Sequence, residues 1–378
     1  MKIYLDNAAT TQVAKEVFNS MKPYLTEKYG NASSLHSFGE EANKALTNSR
    51  KIIAEKLKAN QEEIIFTSGG TESNNLAILG IAHNYREKGN HIITTKFEHP
   101  SVLETCKALE KEGFNITYLN LNREGFINLN ELKNSINSKT ILVSIMHANN
   151  EIGTVQDLKE IYKICKSKNA IFHTDAVQSF CKADLNSEMA DLISISSHKI
   201  HGPKGIGALY VKKGIMLKKL LHGGKHEFNL RPGTENIPSA VGFAKATALI
   251  TNKDIERMSG LRNKLISEIL KIKDTWLNGS KKRLCNNVNI SFKYIEGESI
   301  LMYLNEKGIA VSTGSACAAK ELKPSHVLLA IGLKQEDAHG SIRFTLSRYT
   351  TEKEIDYVIK VLPGIVKQLR EMSPFKGE

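Results

Sequence analysis

Lys199 occupies a position that would make its side-chain amine reactive. It follows the apolar run Leu-Ile-Ser-Ile at 192–195 and lies within the segment SSHKIHGPKG at 196–205. Desolvation at the carboxyl end of a buried strand lowers the pKa of a lysine and makes its amine nucleophilic, which is what Schiff-base formation requires. Lys204 lies in the part of this segment that is rich in glycine and proline, and it is the less suitable candidate.

The segment TSGGTE at 67–72 has the composition of an anion-binding turn between a strand and a helix. Gly70 lets the backbone approach a ligand, and the first turn of a helix presents free N–H groups to an anion. The Thr71 hydroxyl adds a donor, and so do Ser196 and His198 on either side of the strand-end turn. The segment therefore suits a phosphate, although a plain helix cap with a tight turn explains it equally well.

Polar residues end three more predicted strands, namely His99, Asn150, and Asp175 with Gln178 nearby. Asp175 is costly to bury without a cationic partner, and a protonated pyridine nitrogen would be one. On their own, His99 is more often a structural corner residue and Asn150 an ordinary turn cap. Together, these residues supply what pyridoxal phosphate needs: a phosphate cradle, an anion at the ring nitrogen, a donor to the ring hydroxyl and a lysine.

Such a site requires a scaffold that brings strand ends together. Apolar runs alternate with helical patterns such as 72–88 and 158–168, and the runs lie at 64–67, 91–95, 116–121, 141–147, 170–176, 192–197 and 207–211. This alternation predicts an α/β fold with a mostly parallel seven-stranded sheet covered by helices. Ligands bind such sheets at the carboxyl ends of the strands, where the candidate residues lie.

The rest of the chain predicts a smaller α+β domain. A helical stretch at 239–272 precedes strand-like and helical segments at 287–292, 299–306 and 341–346, and a closing helix spans 351–370 with Thr351 as its cap and Glu354 three residues on. We place a large cofactor-binding domain at 1–255 and a small C-terminal domain at 256–378. In this division the first ~15 residues of the chain can pack against the small domain.

Composition and charge argue against several classes of protein. The chain has 378 residues, of which 41% are hydrophobic and 24% charged, which is ordinary for a soluble enzyme. No apolar run reaches the length of a membrane span, and Asp6 and Asn7 interrupt the N-terminus too early for a secretory signal, so we expect a cytoplasmic protein. The net charge is +12, but the lysines are scattered, which predicts a solvated surface and no direct nucleic-acid contact. The cysteines form no CxxC pair, so no zinc site is expected.

Several segments together resemble a known family. They are LDNAATT (5–11), GNASSLHSFG (30–39), TSGGTESNN (67–75), EHPSV (98–102), NNEIGTVQ (149–156), HTDAVQ (173–178), SSHKIHGPKG (196–205), RPGTEN (231–236), STGSAC (312–317) and IRFTLSRYTTEKEID (342–356). The chain resembles the cysteine desulfurases of the NifS/IscS type, within the class-V aminotransferase group. That resemblance implies a fold-type-I transferase dependent on pyridoxal 5'-phosphate, acting on L-cysteine as a homodimer.

The resemblance implies a role for each candidate residue. Lys199 carries the cofactor and removes the α-proton of the substrate. His99 stacks on the ring and moves protons, Asp175 pairs with the pyridine nitrogen, and Gln178 contacts the ring hydroxyl. The phosphate is held by Gly70, Thr71, Ser196 and His198, with Thr234 reaching across from the other subunit.

Three residues are assigned to the substrate by the same resemblance. Arg343 clamps the substrate carboxylate, a task that suits a bidentate guanidinium. Asn150 lies near both the ring and the substrate, and Asn31 lines the pocket.

Cys317 decides between activities. Its small neighbours at 312–316 and nearby Lys320 predict a mobile loop with an exposable thiol, although spacing alone favours a small buried filler. The resemblance implies that the Cys317 thiolate attacks the substrate sulfur, keeps it as a persulfide and releases L-alanine. An acceptor protein, such as an iron–sulfur scaffold or a tRNA-thiolation protein, then takes the sulfur. Transient ligation of an iron–sulfur cluster by Cys317 is left undecided by the sequence, and no other metal site is expected.

Three other functions are compatible with the same fold. A selenocysteine lyase would need the same residues, whereas a class-V aminotransferase needs no thiol at Cys317. A silent scaffold for iron–sulfur assembly would not need Lys199 or Asp175. The chain departs from the family at 223–227, where GGKHE replaces the usual GGGQE, and at Pro232, where a serine is usual. Both changes concern the dimer contact or the rim of the pocket.

Overall fold

One central sheet positions the candidate residues. The computed structural model describes residues 2–314 and 324–374. Its strands are β1 (Ile3–Tyr4), β2 (Ile64–Thr67), β3 (His91–Thr95), β4 (Asn115–Leu119), β5 (Thr140–Ser144), β6 (Ile171–Asp175), β7 (Leu192–Ser196), β8 (Gly207–Val211), β9 (Thr275–Leu277), β10 (Asn287–Phe292), β11 (Ile309–Ala310) and β12 (Ser341–Thr345).

The helices lie between and around these strands. They are α1 (Lys15–Met21), α2 (Pro23–Thr26), α3 (Ser37–Leu57), α4 (Gly70–Asn84), α5 (Pro100–Lys111), α6 (Leu129–Ser135), α7 (Leu158–Ser167), α8 (Ile237–Leu249), α9 (Asn252–Ile269), α10 (Gly297–Glu306), α11 (His326–Ala330), α12 (Gln335–His339) and α13 (Glu352–Met372). None of these described helices combines the length and apolar character needed to cross a membrane.

The central sheet has seven strands in the order β2-β8-β7-β6-β5-β3-β4. Strand β8 is antiparallel to both neighbours, and the remaining pairs are parallel. The predicted mostly parallel sheet is therefore confirmed. The predicted run at 141–147 extends past the end of β5, because Ile145 and Met146 are buried outside the strand ladder and mimic strand residues in the sequence.

Helices cover both faces of this sheet, as its all-buried strands require. Side chains alternate along each strand, so Ile64 and Phe66 join a core formed with α3, α7 and α8, while Ile65 joins the opposite core formed with α4 and α5. The two cores hold the sheet rigid from both sides. The carboxyl ends of β6 and β7 lie side by side, and this edge carries Asp175 and the turn that ends at Lys199.

The C-terminal part forms a second core around an antiparallel sheet in the order β12-β10-β9. The single helical stretch predicted at 239–272 is wrong in one respect: it is interrupted between α8 and α9, where Thr251 and Asp254 form a capping box that starts a new helix. Strand β1 pairs with β11, and Ile3 joins the second core. A domain boundary at 255/256 would fall inside α9 and stays a prediction.

A buried ion pair holds the segment at 223–227, whose sequence differs from the usual family motif. Arg50 of α3 donates to both carboxylate oxygens of Glu227, at 2.6 and 2.7 Å, and the Phe66 amide donates to the same carboxylate at 2.8 Å. Glu227, Phe228 and Asn229 all have positive φ, at 46°, 54° and 64°. Non-glycine residues adopt this conformation at a cost, so the ion pair offsets strain in the segment.

Glu227→Gln is expected to lower the free energy of unfolding by about 3–5 kcal/mol, because it leaves the Arg50 guanidinium buried without its counter-charge. Urea denaturation measures the change. Glu352→Gln is the matched control, since the ion pair of Glu352 with Lys264 is exposed and its loss is expected to cost less than about 1 kcal/mol. Equal effects of the two substitutions would contradict the stabilising role of Glu227.

Candidate active site

A cavity of about 290 Å³ opens at the carboxyl edge of the central sheet. It lies beyond the ends of β6 and β7, where a parallel sheet is expected to bind its ligand. The residues predicted from the sequence that line it are Gly70, Thr71, His99, Asn150, Asp175, Gln178, Ser196, His198, Lys199 and Arg343. The fold thus brings together residues that are far apart in the chain, from Gly70 to Arg343.

Lys199 ends the short 3-10 turn that follows β7, and its amine lies against backbone oxygens. Nζ donates to the carbonyl of Ala8 at 2.5 Å and to that of Ala9 at 2.7 Å. Burial, followed by the positive charges of Arg343 and Lys182, lowers the pKa of the Lys199 amine to about 7. A large fraction of this amine is therefore uncharged near neutral pH, which suits a nucleophile and a base.

Asp175 ends β6 and is held by two donors. Oδ1 accepts from the Val177 amide at 3.0 Å, and Oδ2 accepts from Asn74 Nδ2 at 2.7 Å. The carboxylate is 4% exposed, and it forms no ion pair with any residue in 2–314 or 324–374. A buried carboxylate without a cationic partner is costly, so its surroundings are suited to a cation that arrives with a ligand.

His99 caps the N-terminus of α5 and belongs to the same hydrogen-bond network. Its Nδ1 accepts from the Ser101 amide at 3.2 Å and lies 2.8 Å from Ser101 Oγ, which in turn accepts from Asn74 Nδ2 at 2.9 Å. Burial lowers the pKa of the His99 imidazole. Because Nδ1 is an acceptor in the neutral ring, the proton is on Nε2.

A second group of residues in the cavity can bind an anion. Gly70 begins α4, and a β-carbon there would lie 2.6 Å from Val177 Cγ2, so the close approach requires glycine. Ser196 Oγ is buried without a hydrogen-bond partner among the described residues. His198 Nδ1 lies 3.1 Å from Thr10 Oγ1. The free N–H groups of the first turn of α4, together with the unpartnered serine hydroxyl, are donors that suit a phosphate.

Arg343 lies on β12 at the side of the cavity and is almost completely buried. Nη2 donates to Asp6 Oδ1 at 2.8 Å, and Nη1 donates to the Asn150 carbonyl at 3.1 Å. Nε has no partner among the described atoms. The guanidinium is thus fixed in orientation and still has donor capacity for a carboxylate.

The N-terminal segment at 6–11 covers the turn that carries Lys199, a role that the sequence did not reveal. The Ala8 carbonyl also accepts from Gln178 Nε2 at 2.9 Å. Both the amide and the hydroxyl of Thr11 donate to the His198 carbonyl, at 3.0 and 2.9 Å. The segment is irregular and has no period, so only its resemblance to a family motif marked it.

Other predicted residues lie elsewhere. Asn31 and Thr234 are exposed and outside the cavity lining, so their contacts with the pocket stay predictions. Cys317 lies outside the described residues. Sequence reasoning missed Asn74 and Ser101. Asn74 follows Gly70 by one helical turn on α4, and that spacing is the signal by which it could have been found.

Comparison with known proteins assigns the chain to a family. The model of the class-V aminotransferase family matches residues 3–358. The cysteine desulfurase IscS of Dictyoglomus turgidum is 52% identical over 384 aligned residues, which cover 100% of this chain and 98% of that protein. The chain belongs to the cysteine desulfurases of the class-V aminotransferase family. Another member of this desulfurase group, from Methanosarcina thermophila, is 51% identical over 379 residues, with 98% and 94% of the two chains covered.

Solved structures agree with this desulfurase assignment. A protein described as NifS-like has a TM-score of 0.92 and 38% identity, with 98% of this chain and 100% of that chain covered. A structure described as SspA in complex with cysteine has a TM-score of 0.84 and 38% identity, with 93% and 100% covered. Together with the family match, these structures confirm the predicted fold class.

Pyridoxal phosphate is the cofactor of this desulfurase family, and the observed residues fit it. The buried, unpaired carboxylate of Asp175 fits a pyridinium nitrogen, and the unpartnered Ser196 hydroxyl beside the N-terminus of α4 fits a phosphate. Lys199 lines the same cavity, and the pKa of its amine is lowered. The donor set therefore has one group for each part of the cofactor.

Proposed function

We propose that this enzyme converts L-cysteine to L-alanine and transfers the sulfur as a persulfide on Cys317 to an acceptor protein. The observation that carries the proposal is the cavity that joins the amine of Lys199, the unpaired carboxylate of Asp175 and the guanidinium of Arg343. The relatives named cysteine desulfurase support the reaction, and so does the similar structure described as a complex with cysteine.

Each residue has a defined task in this reaction. Pyridoxal phosphate, when bound, supplies an electron sink for the charge that develops at the substrate Cα. Arg343 binds the substrate carboxylate, and the free Lys199 amine removes the α-proton with its Nζ. Asp175 keeps a negative charge at the ring-nitrogen end of the cavity. His99 would stack on the ring of the bound cofactor and move protons to and from the reacting substrate.

Sulfur transfer requires a thiolate, and the buried cysteines are poor candidates. Burial raises the thiol pKa of Cys106, Cys165 and Cys181 to about 12, and it also raises that of Cys285. Cys317 is the remaining cysteine of the chain. In the proposed step its thiolate forms an S–S bond with the substrate sulfur, the C–S bond breaks, and the carbon is protonated on the way to L-alanine.

The proposal includes a homodimer in which Thr234 reaches the phosphate of the partner subunit. Large apolar side chains near the N-terminus support it: Leu35 is 95% exposed, Tyr29 70% and Phe38 49%. Exposed apolar clusters of this kind mark interaction surfaces.

We also place the enzyme in the cytoplasm, which the four free, buried thiols support. The acceptor is proposed to act in iron–sulfur assembly or tRNA thiolation, and the net charge of +12 favours one with an acidic surface.

The test is to supply the purified holoenzyme with L-cysteine and to measure alanine and sulfide in the presence of a thiol reductant. Equal amounts of both products are expected. L-selenocysteine and a 2-oxo acid with an amino donor are supplied in parallel. Turnover of selenocysteine alone would replace the proposal with a lyase, and amino transfer without sulfide would replace it with an aminotransferase.

Arg343→Lys is expected to raise the KM for L-cysteine about 10- to 100-fold, because an ammonium cannot reproduce the fixed fork that binds a carboxylate. Steady-state kinetics measures KM and kcat separately. Arg370→Lys is the matched control, since Arg370 of α13 donates to the backbone carbonyls of Lys293, Lys273 and Asp274 and does not line the cavity. An unchanged KM in the Arg343 variant would show that the substrate carboxylate binds elsewhere.

A further inference from the structure

A second lysine is buried directly behind Lys199. Lys182 is 6% exposed, and its Nζ donates to the main-chain carbonyl of Lys199 at 3.3 Å. It lies beyond Asp175 in the turn that follows β6, whereas Lys199 lies in the turn that follows β7. A side chain on one strand end therefore supports the backbone of the neighbouring strand end.

Nothing in the vicinity compensates the charge of Lys182. Within residues 2–314 and 324–374 Lys182 forms no ion pair, and burial keeps the nearby thiols of Cys181 and Cys285 neutral. The imidazoles of His198 and His201 are also near, and burial lowers the pKa of each to about 4, so they are neutral as well. A buried ammonium without a counter-charge is costly, and burial lowers the pKa of Lys182 to about 8. Folding alone would be served better by an apolar side chain.

We propose that Lys182 is a positioning residue for Lys199, fixing the turn that carries it and placing a positive charge behind its amine. No role was assigned to Lys182 by the sequence, and the inference rests on the proposed role of Lys199 as the cofactor lysine.

The other charged groups around Lys199 do not fill this place. Asp6 and Asp175 are negative and favour the protonated amine, while Arg343 is positive and opposes it. Arg343 is already paired with Asp6 and is expected to exchange partners when a substrate carboxylate binds. His99 is neutral when its Nδ1 accepts a hydrogen bond. Lys182 is thus the positive group near Lys199 whose surroundings need not change during turnover.

The test uses the holoenzyme with three variants. Lys182→Met removes the charge and the donor, Lys182→Gln removes the charge and keeps a donor, and Lys182→Arg keeps both. The readout is the pH titration of the visible absorbance of the bound cofactor, which reports protonation at Lys199 Nζ. Both uncharged variants are expected to move the midpoint upward by about one pH unit, a tenfold change in proton affinity, and the arginine variant is expected to stay close to wild type.

Thermal unfolding of the same samples separates positioning from structure. The uncharged variants are expected to unfold at or above the wild-type temperature, because they relieve a buried charge. Wild-type midpoints in both uncharged variants, or failure of both to fold, would overturn the proposal. A wild-type enzyme without a lysine-linked absorbance band would refute the proposed function itself, so the two failures are distinguishable.

Discussion

Lys199→Ala is expected to reduce alanine formation from L-cysteine by on the order of 10⁴-fold or more, since it removes both the covalent anchor of the cofactor and the base at the substrate Cα. Among the described residues, the deleted amine donates to two backbone carbonyls in the cavity, so the fold should persist. The visible absorbance of lysine-linked pyridoxal phosphate should be absent from the variant. Spectra and product assays on the same preparation measure both effects.

Lys204→Ala provides the matched control for this prediction. Lys204 lies five positions further along the same segment and is exposed, so its removal should change neither the absorbance nor the rate. If Lys199→Ala kept the band and Lys204→Ala lost it, the assignment of the cofactor lysine would be wrong. If both variants kept the band and the activity, neither lysine would carry the cofactor.

Cys317→Ala is expected to abolish sulfide and alanine formation while leaving the cofactor absorbance intact. In the proposed reaction the C–S bond breaks when the Cys317 thiolate attacks the substrate sulfur, so the variant lacks the group that accepts the sulfur. The four described cysteines are buried and their thiol pKa values are raised, so none is suited to replace Cys317. Removal of this nucleophile should therefore lower the rate by on the order of 10³-fold or more.

Cys165→Ala is the control for that variant. Cys165 is buried on α7 beneath the central sheet and does not line the cavity. Its substitution should cost some stability and leave cysteine turnover near the wild-type rate. Turnover of cysteine by Cys317→Ala at the wild-type rate would contradict the persulfide reaction. It would favour a lyase or an aminotransferase activity.

The fold was predictable from the sequence because its strongest signals are local. Strands buried on both faces give unbroken apolar runs, and runs such as those at β6 and β7 were located within one or two residues. The closing helix was predicted with its cap, since Thr351 and Glu354 form the capping box. The break between α8 and α9 was missed, because helical periodicity continues on both sides of it and the cap at Thr251 resembles an ordinary helix residue.

Site residues that directly follow a strand could be predicted from the sequence. Site residues whose contacts are with residues distant in the sequence could not. Asp175 and Lys199 stand at strand ends, so sheet topology alone brings them together. Asp6 is 337 positions from Arg343, its ion-pair partner, and no periodicity in the sequence connects the two. Lys182 gave no signal for the same reason, because its contact with the Lys199 carbonyl exists only once two neighbouring strands are paired.

The most direct test of the desulfurase account is a single turnover with the sulfur located afterwards. Holoenzyme is mixed with less than one equivalent of L-cysteine without reductant, and the intact protein and its peptides are then weighed by mass spectrometry. The proposed reaction gives one molecule of alanine per cysteine consumed and leaves one added sulfur atom on the peptide that contains Cys317. Alanine without added sulfur on that peptide, or added sulfur on a different cysteine, would contradict it.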